Sequence, residues 1–130
     1  MQKVFLVDDS PLVRQRLALM VGGLPQTEVV GQAASVDEAI RGILSARPDV
    51  VLLDLSLDHG GSGFDVLSAI RAQDPAIAFY VLSNFASEPY RRRAEQLGAC
   101  GFFDKSTDME LMRSALKGLK GDTPCQPSSH

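Results

Sequence analysis

The sequence has no basic excess, almost no cysteine and no long apolar run, and each lack removes a class of function. Its 13 lysines and arginines are outnumbered by 16 aspartates and glutamates, for a formal charge of −3. General affinity for nucleic acid or for a membrane surface rests on a positive excess, so neither is an expected partner of this chain alone. No apolar stretch approaches the ~20 residues that cross a bilayer, and Lys3 followed by so short a run does not make a signal peptide. The two cysteines sit in unlike surroundings, Cys100 before an apolar segment and Cys125 in a Pro/Ser-rich tail. No bridge between them is expected, Cys100 reads as a core residue, and the chain reads as cytoplasmic.

What is present is a set of short apolar runs that end in acids. Val50, Val51, Leu52 and Leu53 show no polar alternation, which predicts a strand buried on both faces, and Asp54 follows directly. Val4, Phe5, Leu6 and Val7 form a second such run, ending in Asp8 and Asp9. Residues 27–34, 77–82 and 100–103 supply three more strands, the last two ending at Ser83 and at Asp104 and Lys105. Helical periodicity fills the intervals. Ser10 and Pro11 start a helix bearing Val13, Leu17, Met20, Val21 and Leu24. Ser35 caps a second, with Glu38 placed as in a capping box and Val36, Ala39, Ile40, Ile43 and Leu44 facing inward. Phe64, Leu67 and Ile70 mark a third. Tyr90, Ala94 and Leu97 give a fourth a thin apolar stripe beside Arg91, Arg92 and Arg93. Met109, Met112, Ala115, Leu116 and Leu119 mark the last.

Alternating strands and helices predict an α/β fold, a three-layer doubly wound sheet of five parallel strands. One domain over residues 1–120 is expected, with a tail at residues 121–130 whose composition is that of disorder. In such sheets ligands bind at the carboxyl ends of the strands, where Asp8, Asp9, Asp54, Ser83 and Lys105 would converge. Clustered carboxylates repel unless a cation lies between them, and few protein ligands with room for water suit Mg²⁺. A lysine and a hydroxyl beside them suit a phosphoryl group, which a carboxylate can accept covalently. The glycine-rich segment at residues 60–63 is not a P-loop, because Phe64 and Asp65 follow where Lys and Ser/Thr would be needed.

Asp8, Asp9, Ser10 and Arg14, then Asp54, Ser83, and Phe102 three residues before Lys105, come in an order that resembles the receiver domain of bacterial two-component response regulators. The resemblance runs from Lys3 to about Leu119. It implies the (βα)5 flavodoxin-like fold and a phosphoprotein, not an enzyme, that promotes only its own phosphorylation and dephosphorylation. Asp54 would accept a phosphoryl group from the phosphohistidine of a histidine kinase or phosphotransfer protein. Asp9, Asp54 and the Ser56 backbone carbonyl would ligate Mg²⁺, with Asp8 acting through water, and Lys105 would contact the phosphoryl group. Ser83 and Phe102 would be a switch pair. Tyr90, Arg91, Arg92 and Arg93 would lie on the surface read by an unspecified downstream protein, although such an arginine run also suits a plain solvated helix face.

Departures from the family pattern are local. Asp58 and Ser62 stand where Pro and Gly are usual, Gly63 comes one residue late, and Ser106 replaces the Pro whose peptide bond is commonly cis, so a trans bond is expected. By the resemblance Ser56 and Phe85 would flank the approach of hydrolytic water, and they offer it little hold, which implies a long-lived phosphorylated form. A stand-alone regulator is the leading expectation. The rivals are a receiver cut from a longer regulator with an output domain, a docking module that is never phosphorylated, and, in another class, an aspartyl-phosphate phosphatase.

Overall fold

The computed structural model of the chain describes residues 2–55, 57, 61–84, 88–105 and 107–118. Five strands, β1 (Gln2–Val7), β2 (Thr27–Ala33), β3 (Val50–Asp54), β4 (Ala78–Ser83) and β5 (Gly101–Asp104), form one parallel sheet in the order β2-β1-β3-β4-β5. Five helices connect and cover them: α1 (Pro11–Gly22), α2 (Val36–Ala46), α3 (Gly63–Gln73), α4 (Glu88–Gln96) and α5 (Met109–Gly118). The expected doubly wound fold is the observed one. None of the helices is long and apolar enough to cross a membrane, among the described residues.

Side-chain alternation divides the strands between two cores. Val4, Leu6, Val50, Leu52 and Leu82 pack with Leu17 and Val21 of α1 and with Met112 and Leu116 of α5. Phe5, Val7, Val51, Leu53 and Phe79 pack with Ala39 and Ile43 of α2 and with Val66, Leu67 and Ile70 of α3. A smaller third cluster joins Val81 and Phe102 to Ala94 of α4, with Leu55 and Phe64 at its edge. β3 is buried at every residue because it is central and covered on both faces.

The helix starts follow from their caps. The Ser10 hydroxyl accepts from the Val13 N–H at 3.3 Å, and Pro11, which has no N–H to lose, opens α1. The Ser35 hydroxyl accepts from the Glu38 N–H at 3.4 Å and donates to Glu38 Oε1 at 3.3 Å, so the carboxylate turns to the hydroxyl instead of the cap's own N–H. Gly42 stands in mid-helix for a steric reason: a Cβ there would lie 2.6 Å from the Phe5 ring, which fills the slot between α2 and β2.

Three expectations fail. Leu44 is 37% exposed, on the shoulder of α2 beyond the reach of the core. Tyr90 is 46% exposed, so the inward stripe of α4 reduces to Ala94 with half-buried Leu97 beyond the helix. Cys100 is disulfide-bonded, against the expectation of a free core thiol. Spacing along a chain does not tell which thiols can meet in space. The sequence's other cysteine, Cys125, lies outside the described residues, as do Met1, Ser56, Asp58, His59, Phe85, Ser106 and the tail at residues 121–130.

Candidate functional site

The sheet order reverses its winding between β1 and β3, which opens a crevice at their carboxyl ends. Asp8 follows β1 and is fully buried, Asp54 ends β3 at 4% exposure, and Ser83 ends β4 at 4%. Lys105 follows β5, and its backbone N–H donates to the Ser83 carbonyl at 3.0 Å, which ties the ends of β4 and β5 together. Asp9 is exposed at the rim. The residues singled out along the sequence are thus brought to one place by four strands. Val13, Arg16, Asn84 and Met109 join Asp9, Asp54, Ser83 and Lys105 around a cavity of about 490 Å³.

Two of the carboxylates are held before any ligand arrives. Asp8 Oδ1 accepts from the Ser10 N–H at 2.9 Å, and the Asp8 carbonyl accepts from the Arg14 guanidinium, so the start of α1 folds back on this aspartate. Lys105 Nζ lies 2.7 Å from Asp8 Oδ2 and 3.0 Å from Asp54 Oδ2. Burial by itself would lower the Lys105 pKa, but bonding to Asp8 and Asp54 and the charge of both outweigh it, and the ammonium is held above its ordinary range. The ammonium is the one partner of the buried Asp8 Oδ2 among the described residues.

Ligand oxygens of Asp8, Asp9 and Asp54 all lie within 4.8 Å of one another. Three carboxylates against one touching ammonium leave negative charge in excess, which fits a hard divalent cation with oxygen ligands. The residues present therefore fit the Mg²⁺ typical of the family that the sequence resembles.

The loop after Asp54 closes tightly. The Gly63 N–H donates to the Leu55 carbonyl at 2.9 Å, Leu57 N–H to Gly61 carbonyl at 3.0 Å, and Leu57 is buried. A Cβ on Gly63 would fall 2.2 Å from the Asp54 carbonyl oxygen, so this position requires glycine. Sequence reasoning placed a glycine here but not its reason, which is an approach across nine positions of chain.

Phe102 is 7% exposed, its ring turned in against Val81 and Ala94. Arg91 was read as one of three solvent-facing arginines, and it is instead half-buried, with its Cζ 5.0 Å from the Phe102 ring centroid. Arg92 and Arg93 are exposed, as is Tyr90. The signal available for Arg91 was the poverty of apolar residues on α4, which leaves something else to hold the helix down.

Residues 4–117 match the response regulator receiver domain family. The DNA-binding transcriptional activator DevR/DosR of Mycobacterium tuberculosis is 37% identical over 115 residues, which are 88% of this chain and 52% of that protein. The response regulator GacA of Pseudomonas aeruginosa is 31% identical, over 90% of this chain and 54% of that one. The chain thus spans about half the length of the curated relatives it matches. Among solved structures, a two-component response regulator of the LuxR family from Aurantimonas sp. SI85-9A1 superposes with a TM-score of 0.83 at 30% identity, covering 88% of this chain and 81% of that chain. The receiver domain of the putative response regulator NarL from Mycobacterium tuberculosis gives 0.79 at 29%, covering 88% and 93%. With its residues 4–117 matched by the family and a relative 37% identical over 88% of its length, the chain belongs to the response regulator receiver domain family.

Proposed function

We propose that Asp54 is the phosphoacceptor of a two-component signalling protein, taking a phosphoryl group from the phosphohistidine of a histidine kinase or phosphotransfer protein. The observation that carries this reading is the Asp54 carboxylate itself: nearly buried, at a strand end, 3.0 Å from Lys105 and within 4.8 Å of the ligand oxygens of Asp8 and Asp9. Asp9 and Asp54, with the carbonyl of Ser56 and with Asp8 through water, would hold Mg²⁺. Bound there, the cation supplies charge neutralisation for the transferring oxygens. An Asp54 oxygen attacks phosphorus, the bond from phosphorus to the donor nitrogen breaks, and the electron pair leaves with the imidazole. Lys105 stabilises the charge on the transferring group, and Asp8, held by Ser10, fixes Lys105 in place.

The phosphorylated chain signals by changing which proteins it binds. Ser83 turns its hydroxyl toward the phosphoryl group and Phe102 occupies the space behind it, so the surface around Tyr90, Arg91, Arg92 and Arg93 reports the state of Asp54. The unit that does this is residues 1–120, and it works in the cytoplasm, a placement that rests on the kinase donors of the family. A second reading has one observation in its favour: relatives about twice the chain's matched length include one named as a DNA-binding activator. In that reading phosphorylation of Asp54 governs a DNA-binding output domain.

The test is incubation with Mg²⁺ and acetyl phosphate, or with a phosphorylated kinase, and peptide mass mapping. A single phosphate on the peptide containing Asp54 is expected, absent without Mg²⁺. Label on another residue sinks the assignment.

A further inference from the structure

α4 buries one residue, Ala94. Two of its arginines also lie over aromatic rings, one on β5 and one on α3. Arg91 stacks on Phe102, 5.0 Å from the ring centroid, and its Nη1 also donates to the Phe102 carbonyl at 3.3 Å. Arg93 lies 6.0 Å from the centroid of Phe64. Both rings touch the same small cluster as Ala94. Their places in the chain connect that cluster to the site: Phe64 follows the Gly63 that abuts the Asp54 carbonyl, and Phe102 precedes Lys105 by three residues. β5 is an edge strand with β4 on one side only, and α4 packs against its Phe102 while α5 lies in the core of its Phe103.

We infer that Arg91 is a positioning residue for phosphoryl transfer onto Asp54. Stacked on the ring and bonded to the carbonyl of Phe102, it keeps the ring turned in and fixes the end of β5 from which Lys105 spans Asp8 and Asp54. Without the guanidinium, the ring keeps only the apolar contacts of its small cluster, and Lys105 is less often in register with the two carboxylates. This inference rests on Asp54 being the acceptor. The step it serves with a small donor is attack of an Asp54 carboxylate oxygen on the phosphorus of acetyl phosphate, with the phosphorus–oxygen bond to the acetyl group breaking and acetate leaving with the electron pair.

The experiment is the initial rate of Asp54 labelling by acetyl phosphate at saturating Mg²⁺, read by intact mass, across donor concentrations. A partly exposed cation over a ring corresponds to about a two- to five-fold effect. Arg91→Ala should slow labelling by that factor in the limiting rate, with the donor concentration at half-saturation unchanged. Arg91→Lys, which keeps a cation over the ring, should recover most of the rate. Arg41→Ala makes the same change of charge on exposed α2, and Val30→Ala weakens the opposite edge of the sheet; both should label at the wild-type rate. Labelling of Arg91→Ala at the wild-type rate overturns the inference, as does an equal slowing in Val30→Ala, which would make the effect one of stability. Failure of the wild-type protein to take label on Asp54 is a different result, and it overturns the acceptor assignment first.

Discussion

α2 and α4 cover the sheet in different ways. α2 buries Ala39 and Ile43, packs Val36, Ile40 and Ala46 against the same core, and begins at a Ser35 cap. α4 buries Ala94 and otherwise leans on guanidinium contacts with Phe102 and Phe64. Apolar burial is worth about 1.5–3 kcal/mol for a fully buried aliphatic side chain, whereas a cation that stays partly in water over a ring is worth about 0.5–1 kcal/mol. The site straddles this difference. Asp8 and Asp54 follow Val7 and Leu53, whose side chains are locked in the core that α2 and α3 cover. Ser83 and Lys105 end the strands whose Val81 and Phe102 face α4. The acids stand on the firm side, and the groups that would respond to them stand where displacement costs least.

The largest effect that would sharpen this contrast is loss of the acceptor. Asp54→Ala should remove all label while leaving a cooperative fold, since the burial of β3 comes from Val50, Val51, Leu52 and Leu53. An unfolded variant would show that the carboxylate itself holds the crevice together. Next in size is the difference between the helices. Ile43→Ala on α2 should cost about 2–5 kcal/mol in urea denaturation. Ala94→Gly on α4 should cost only about 1 kcal/mol. Equal costs would erase the distinction between a firm and a yielding side.

The same contrast marks what could be read along the chain. Runs such as Val50 to Leu53 announce a buried strand because every residue is apolar, and Ser10, Pro11 and Ser35 announce helix starts because a cap acts over three or four residues. The convergence of Asp8, Asp9, Asp54, Ser83 and Lys105 followed from strand ends in a parallel sheet, a rule about topology that needs no contact to be known. What escaped were contacts across space. Nothing in the spacing tells that Arg91 meets Phe102, that Gly63 lies against the Asp54 carbonyl, or that Cys100 is bridged. Tyr90 was misplaced for the related reason that a helix held by cations has no stripe to follow.

A smaller effect tests whether Lys105 and a bound cation share oxygens. Its ammonium touches Asp8 Oδ2 and Asp54 Oδ2, the carboxylates that the cation site also uses. Lys105→Met should therefore bind Mg²⁺ several-fold more tightly, by isothermal titration, while labelling with acetyl phosphate more slowly. In the wild type, Mg²⁺ at ten times its Kd should add about 1.4 kcal/mol to stability. Weaker Mg²⁺ binding in Lys105→Met would mean that the lysine organises the acids for the metal instead of competing with it.

The smallest effect is the dependence of stability on alkaline pH without Mg²⁺. Burial would lower the Lys105 pKa, but Asp8 and Asp54 raise it further, so the folded value lies above the ordinary one. A basic group with a raised folded pKa gives stability that is fully present below its unfolded value, about 10.4, and is lost as pH rises through the folded value. Tyr80 acts in the same window by another route. Its burial raises the phenol pKa, so above about pH 10 the unfolded chain ionises first and the fold loses stability. The two are separable. The difference in Tm between wild type and Lys105→Met should stay constant up to about pH 10 and change only beyond it, because Tyr80 is common to both. Phenolate absorbance then follows the tyrosines independently. If that difference already drifts between pH 7 and pH 9, the ammonium is not the group that titrates, and the pairing of Lys105 with the two carboxylates carries less of the fold than its distances imply.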